Sequence, residues 1–298
     1  MRKSNHPHKK AVHFIGIGGI GVSALARYFL SKGNIISGSD TSPSELTDQL
    51  KKEGIKIFIG HKPVNIAKGV DLIIHSAAIK KDNPEIKKAE QLGIPFKSYA
   101  EALGELAQQY KTIAIAGAHG KSTTTAMASL VFIKAGLDPT VIIGTKLKEF
   151  TPPAGGNNFR SGKSKLLIIE ADEYKSSFLN YSPKIIVLTC LDRDHLDYFK
   201  NLGNIIKTFE KFIKKLAKTL AKTCVEINTF PFKNPLKNPC FFPLKNKKSK
   251  KITITIRIFG GARKMGLFFV FYKCICILVF DGVGNARPVC TSRINKHV

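Results

Sequence analysis

Acidic residues are scarce in this chain: 21 Asp and Glu stand against 48 Lys and Arg, a net charge of +27 over 298 residues. A balance so basic ordinarily points to nucleic acid or a membrane surface. Yet no basic run is interleaved with aromatic side chains as in a nucleic-acid module, so no nucleic-acid partner is expected. Much of the excess lies in scattered pairs such as Lys51-Lys52, Lys80-Lys81 and Lys87-Lys88. A Lys- and Ile-heavy genome explains them, and part of the charge would help attract polyanionic substrates. Cysteine is rarer still. Residues 1–220 hold only Cys190, which fits a reducing cytoplasm. Cys274 and Cys276 have no second pair at zinc spacing and make no metal motif. Met1 to Lys10 lack an apolar stretch, so no secretory signal is expected and the location is read as cytoplasmic. The apolar stretch 266–283 is short for a bilayer and carries Lys273, so no membrane span is expected. Internal repeats and coiled-coil heptads are absent.

Glycine, by contrast, is concentrated where it means something. Thr112 to Ala116 reads as a buried strand, and Gly117-Ala-His-Gly-Lys-Ser122 follows, leading into a helical run from Thr123 to Ala135. Glycines let backbone N–H groups approach phosphates, and a helix N-terminus favours their charge. Lys121 would reach the β- and γ-phosphates of ATP, and the Ser122 hydroxyl would ligate Mg²⁺. Gly117, Ala118, His119, Gly120, Lys121, Ser122 and Thr123 are therefore the expected ATP-binding set. The spacing is shorter than GxxxxGK[ST], and such a loop alone can be an ordinary strand–helix turn. The strand before it, the helix after it and His119 within it favour a phosphate site.

A second loop follows the apolar run Ala11 to Ile15. Gly16, Gly18, Gly19 and Gly21 match GxGxxG, and Asp40 falls about twenty residues on, where a dinucleotide site places a ribose-binding acid. Alone, this pattern is weak. Two phosphate loops in tandem fit a two-substrate enzyme, one site taking ATP and the other a nucleotide-linked acceptor. Further along, the strand-like run 165–169 ends in Glu170-Ala-Asp172-Glu173, and the run 184–189 leads to Asp194-His195-Leu-Asp197. Glu170 at a strand end suits a magnesium ligand, and His195 among acids suits a second metal.

These stretches, with Ser37-Gly-Ser-Asp40, Ser76-Ala-Ala-Ile79, Asp82-Asn-Pro-Glu85 and Ser177-Phe178, resemble the Mur ligase family in order and spacing from about residue 11 to 219. The resemblance implies an ATP-dependent amide-bond ligase of peptidoglycan precursor synthesis, with ATP, UDP-N-acetylmuramate and L-alanine as small-molecule substrates. The substrate carboxylate would attack the γ-phosphate to give an acyl phosphate, which the amine of an amino acid then displaces. It also implies that Gly16, Gly18, Gly19, Gly21 and Ser76 hold the UDP-sugar, with Asp40 a ribose-binding or loop-ordering residue. Lys121, Glu170 and His195 would be catalytic, with Ser122, Glu170 and His195 the metal ligands. A tripeptide-recycling branch of the same family, or a nucleotide-binding remnant without catalysis, are the alternatives. The chain departs from the family at Ala118 and Ser122, where Thr is usual. It also departs at Lys175 (usually an acid), Cys190 (usually Asn) and Arg193 (usually small). The last three bear on the second metal, which an inward Arg193 would repel.

The reading is α/β. Residues 1–109 form a Rossmann-like, doubly wound parallel sheet that binds the UDP-sugar. Residues 110–220 form part of an ATP-binding central domain. Expected strands are 11–16, 34–38, 55–59, 70–75, 94–97, 112–116, 140–144, 165–169 and 184–189. Expected helices are 19–31, 43–53, 83–92, 99–108 and 201–218. Residues 151–158, Pro- and Gly-rich, are expected as a loop able to close over a substrate. Residues 221–298 carry 15 Lys and Arg against two acids, five of the six cysteines and no family motif. A truncated or frame-shifted reading frame is the simplest account of that tail, a different domain the alternative.

Overall fold

The computed structural model describes residues 9–150 and 156–221, with side chains to 215, and the backbone of six short strands between 226 and 289. The loop residues 151–155 and most of the tail 221–298, including most of the apolar stretch 266–283, lie outside the described residues. Within the tail, Cys240–Lys245 pairs antiparallel with Lys251–Ile256. No helix among the described residues is long and apolar enough to cross a membrane.

The chain forms two compact units. The first comprises residues 1–106 and 136–165. Its sheet contains β1 (Ala11–Ile15), β2 (Ile35–Asp40), β3 (Lys56–Ile59), β4 (Leu72–His75) and β5 (Phe96–Ser98), all parallel, in the order β3-β2-β1-β4-β5. Continuous apolar runs build the central strands because a parallel sheet is covered on both faces. Phe14, Ile15, Ile73 and Ile74 are fully buried. Local chemistry sets the helices. In α1 (Ile20–Ser31) the first turn has no side-chain cap and no acid. Ser44 and Thr47 form a capping box for α2 (Glu45–Lys52), satisfying otherwise orphaned N–H groups. For α3 (Pro84–Leu92), Asn83 caps the start and left-handed Gly93 the end, and α4 (Tyr99–Gln108) follows β5 directly. The chain runs outward from β1 through β2 and β3, then returns to β4 on the other side. The crevice where ligands bind in such sheets therefore lies at the carboxyl ends of β1 and β4.

Residues 136–165 cluster with this first unit. A buried polar junction ties them to α1. The hairpin of β7 (Thr140–Leu147) and β8 (Asn157–Arg160) places Asn158 on α1, where its amide donates to Ile20 O (2.5 Å) and Ser23 Oγ (2.9 Å). Arg27 Nη1 donates to Asn158 Oδ1 at 2.5 Å and its guanidinium also grips Glu53. Asn157 and Asn158, expected in a loop, are thus the start of a strand.

The second unit comprises residues 107–135 and the chain from 166. Its strands β6 (Lys111–Ala116), β9 (Leu166–Ala171) and β10 (Ile185–Leu188) are parallel, with β6 between the others. Ala116 lies opposite Ala171 on one side and Leu188 on the other, so three strand ends meet. Helix α5 (Lys121–Lys134) starts two residues before its expected position, which brings Lys121 and Ser122 into its first turn. Helix α6 (Leu196–Phe199) is a single turn. Helix α7 (Leu202–Ala221) buries Phe209 and Phe212 against Phe178, with ring centroids 5.0 and 4.5 Å apart.

Two candidate phosphate sites

In the first unit, Gly16, Gly18, Gly19, Gly21, Asp40 and Ser76 meet where the topology places a ligand. Most of the loop's own donors are already used. Gly16 and Ile17 N–H donate to Ser39 O (2.8 and 3.0 Å), Gly19 N–H to Gly16 O (3.2 Å), and Gly18 N–H to Asp40 Oδ2 (2.7 Å). Asp40 therefore orders the loop, the second of its two expected roles. Gly16 has φ +77°, and a Cβ there would lie 2.9 Å from the Ser76 Cβ; one on Gly21 would strike Tyr99. The glycines shape the loop, and the uncapped first turn of α1 is what presents N–H groups to an anion.

Beneath this loop lies a polar network that sequence reasoning missed. Glu85, fully buried, accepts from Ser39 Oγ (2.6 Å), Asn65 Nδ2 (2.6 Å) and Lys62 N–H (3.2 Å), with His13 Nε2 at 3.4 Å. Burial pushes its carboxyl up, but the hydrogen bonds from His13, Ser39 and Asn65 together hold it below the ordinary 4.5. Ser39 connects Glu85 to the loop, since its carbonyl holds Gly16 and Ile17. His13 and Glu85 both stand in stretches that resemble the family, but their separation of 72 residues hides the contact.

In the second unit, the loop 117–120 is strapped by the end of β10. Thr189 Oγ1 donates to His119 O (2.5 Å), and Ala118 N–H donates to Cys190 O (3.0 Å). His119 N–H points at Cys190 Sγ (3.3 Å). Gly117 has φ +134°, and a Cβ there would sit 2.2 Å from Thr189 Oγ1, so only glycine fits. With the Ala118 and His119 amides engaged, the open donors are those of the α5 first turn, which has no side-chain cap. Thr123 is exposed on that turn, and the His119 side chain is largely solvated. Cys190, where the family has Asn, thus contributes to the strap.

The charged groups fall into two sets. Ser122 Oγ donates to Glu170 Oε2 at 3.1 Å, so these two residues stand side by side. His195, expected at a second metal, groups with two acids other than its neighbours in sequence. It lies seven residues beyond β10, as the left-handed N-cap of α6 (φ 52°), and groups with Asp172 and Glu173, their ligand atoms all within 4.8 Å. His195 Nε2 is 3.9 Å from Glu173 Oε1, and the ring packs on Tyr174 at 4.7 Å. Arg193 is exposed, and Lys175 Nζ lies over the Tyr174 ring, 5.5 Å from its centroid. Glu173 is 2% exposed and forms an ion pair with Lys121 Nζ at 3.0 Å. Burial raises its carboxyl above the ordinary 4.5 against the pull of that lysine. Carboxylates and a hydroxyl are the hard oxygen donors that Mg²⁺ prefers, so the residues fit such an ion.

A family profile described as "Mur ligase family, catalytic domain" matches residues 11–111, and one described as "Mur ligase middle domain" matches residues 115–257. The chain belongs to the Mur ligase family. The second match runs past residue 220, where recognisable motifs end. Among curated relatives, this Mur ligase chain is 48% identical over 210 residues to a UDP-N-acetylmuramate–L-alanine ligase of Acetivibrio thermocellus. It is 50% identical over 206 residues to the enzyme of that name from Clostridium botulinum. These alignments cover 70% and 69% of the chain but 44% of each relative, so the chain spans less than half their length. The crystal structure of a Thermotoga maritima UDP-N-acetylmuramate–alanine ligase superposes with TM-score 0.64 at 27% identity, covering 85% of this chain and 61% of that one.

Proposed function

We propose that this Mur ligase chain carries the acceptor- and ATP-binding parts of a ligase that joins L-alanine to UDP-N-acetylmuramate in peptidoglycan precursor synthesis. The observation that carries the reading is the meeting of Lys121, Ser122 and Glu170 at the strand ends below α5, in a chain about half identical to ligases so named. Phosphoryl transfer asks mainly for positioning and charge neutralisation. The α5 first turn and Lys121 would hold the β- and γ-phosphates of ATP. Ser122 and Glu170 would hold one Mg²⁺, and Asp172, Glu173 and His195 a second. When bound, Mg²⁺ supplies neutralisation of the charge that develops on the transferred phosphoryl group. In the first unit, the N-terminus of α1 above the Gly16–Gly21 loop would receive the UDP diphosphate, with Ser76 at its side. The acceptor carboxylate would take the phosphoryl group to give an acyl phosphate and ADP. The amine of L-alanine would then attack the acyl carbon and expel phosphate. Such chemistry belongs in the cytoplasm, where nucleotide-linked precursors and ATP are found.

Calorimetric titration of the 298-residue chain with UDP-N-acetylmuramate and with a non-hydrolysable ATP analogue tests both sites. Saturable binding of each is expected, and Lys121→Ala should weaken only the second. Phosphate release that depends on L-alanine, compared with release dependent on the recycled tripeptide, decides the branch. Failure to bind UDP-N-acetylmuramate would end the acceptor assignment.

A further inference from the structure

One contact in the second unit runs against phosphate binding. An ammonium has three N–H donors, and Lys121 Nζ already has four oxygens within reach. They are Gly117 O (2.7 Å), Ala118 O (3.3 Å) and both Glu173 oxygens (3.1 and 3.0 Å). The lysine is folded back onto the carbonyls of its own loop, with no donor to spare for a phosphate. The side chains are only 16% and 2% exposed, so water screens the pair weakly. Glu173 has a second set of neighbours: His195 Nε2 lies 3.9 Å away, and Asp172 completes a group of cation-ligating atoms. One buried carboxylate thus stands between the lysine that phosphate needs and a set of ligands that a cation needs.

We propose that Glu173 is a positioning residue that holds Lys121 in a closed arrangement until nucleotide arrives, and that its release from Lys121 couples phosphate binding to cation binding. The proposal rests on the ATP reading above. A phosphate takes Lys121 only by displacing Glu173, and the freed carboxylate then faces Asp172 and His195. A cation on Glu173 loosens Lys121 in the same way. Coupling of this kind is reciprocal, so each ligand strengthens the other by the same factor.

The test is titration of a fluorescent ADP analogue into the full 298-residue chain in excess EDTA, where no divalent cation assists. Glu173→Gln keeps the shape and removes the charge, and it should bind about 5- to 50-fold tighter than the unaltered chain. In a Lys121→Ala background the same change should alter affinity by less than about threefold, because the effect passes through the lysine. Asp197→Asn, an exposed acid of the same unit that pairs with Tyr174 and does not touch Lys121, should change little. An unchanged or weaker Glu173→Gln, or an equal gain without Lys121, would overturn the proposal by reducing the effect to a general change of charge.

The reciprocal measurement needs no nucleotide. Mn²⁺ binding followed by electron paramagnetic resonance should be several-fold tighter in Lys121→Ala; equal or weaker binding counts against the proposal. Thermal unfolding checks that each variant folds. If Glu173→Gln does not, Glu173→Asp replaces it, and its shorter reach should give a smaller gain in the same direction. Should Lys121→Ala abolish ADP binding while Glu173→Gln fails to strengthen it, this inference falls and the ATP site stands. Should ADP bind no variant, or bind all regardless of Lys121, both fall.

Discussion

The two glycine loops occupy equivalent places, each between the end of an interior parallel strand and the start of a helix, yet they are held in different ways. The loop at 16–21 is closed by backbone. Ser39 O takes two of its N–H groups, and the Asp40 carboxylate takes a third. The loop at 117–122 is closed by Thr189 and Cys190, just past β10, and by its own lysine paired with Glu173. An anion reaching the first meets a preformed bend whose offer is the first turn of α1. An anion reaching the second must first break an ion pair. A glycine pattern therefore marks where the chain bends, while the carboxylate beside it decides whether the loop is a scaffold or a charged group waiting to change partners.

That contrast can be broken at several points. The largest effect is expected at Glu85, which braces the first loop through Ser39. Glu85→Ala leaves His13 and Asn65 without their buried partner and should cost roughly 3–5 kcal/mol in a denaturant titration at pH 7. The pH dependence has a definite sign. Because the Glu85 carboxyl is held below its ordinary 4.5, its stabilisation is complete above that pH and is lost as pH falls through the folded value. Glu85→Gln should flatten that acid limb of the stability curve. A limb identical to the unaltered chain would remove Glu85 from the account.

Lys121→Ala comes next. Losing a charge-assisted contact to phosphate should weaken binding of the ATP analogue by roughly 100-fold and leave UDP-N-acetylmuramate binding intact. Equal loss at both sites would mean the loops are not separate. Glycine substitutions sharpen the contrast further. Gly33 has φ +81° with nothing within 4 Å of the place a methyl would take, so Gly33→Ala should cost about 1 kcal/mol of stability. Gly117→Ala meets Thr189 and Cys190 and should cost about 2–3 kcal/mol, with loss of the nucleotide site. Similar melting shifts for the two would contradict the strap. Asp40→Asn should have an effect as small as that of Gly33→Ala. An amide oxygen still accepts from Gly18, so about 1 kcal/mol is expected, read as a several-fold weaker affinity for UDP-N-acetylmuramate.

Much of this architecture is legible in the residues. Apolar runs place β1, β4, β6 and β9 within two residues, since buried parallel strands leave a continuous apolar signature. The helix starts are marked by loop glycines and by Ser44 and Asn83. Lys121, Ser122 and Glu170 are legible because a motif and a strand end each impose a local geometry. What stays hidden depends on register. Thr189 straps the phosphate loop only because β10 lies beside β6, and no spacing along the chain reports that pairing. Glu173 sits three residues past Glu170, but whether it faces Lys121 or solvent is set by the turn after β9, where Lys175 and Ser176 adopt φ near 50–58°. His195 lies seven residues past β10, and no spacing along the chain reports that its ring comes to stand near Glu173.

Arg27 and Asn158 give the first unit an unusual history during synthesis. Their contact joins residues 131 positions apart in the chain, with all of β6 and α5 lying between them in sequence. The ribosome must therefore deliver the complete phosphate loop before the unit that precedes it can close. Until then a guanidinium, only 3% exposed in the finished fold, has Glu53 alone for company. A fragment cut at residue 109 would be frozen at that stage: its sheet would be whole, but its α1 face would be bare where β8 belongs. Anyone isolating the first unit should carry the chain through residue 165, or graft the hairpin back by a short linker.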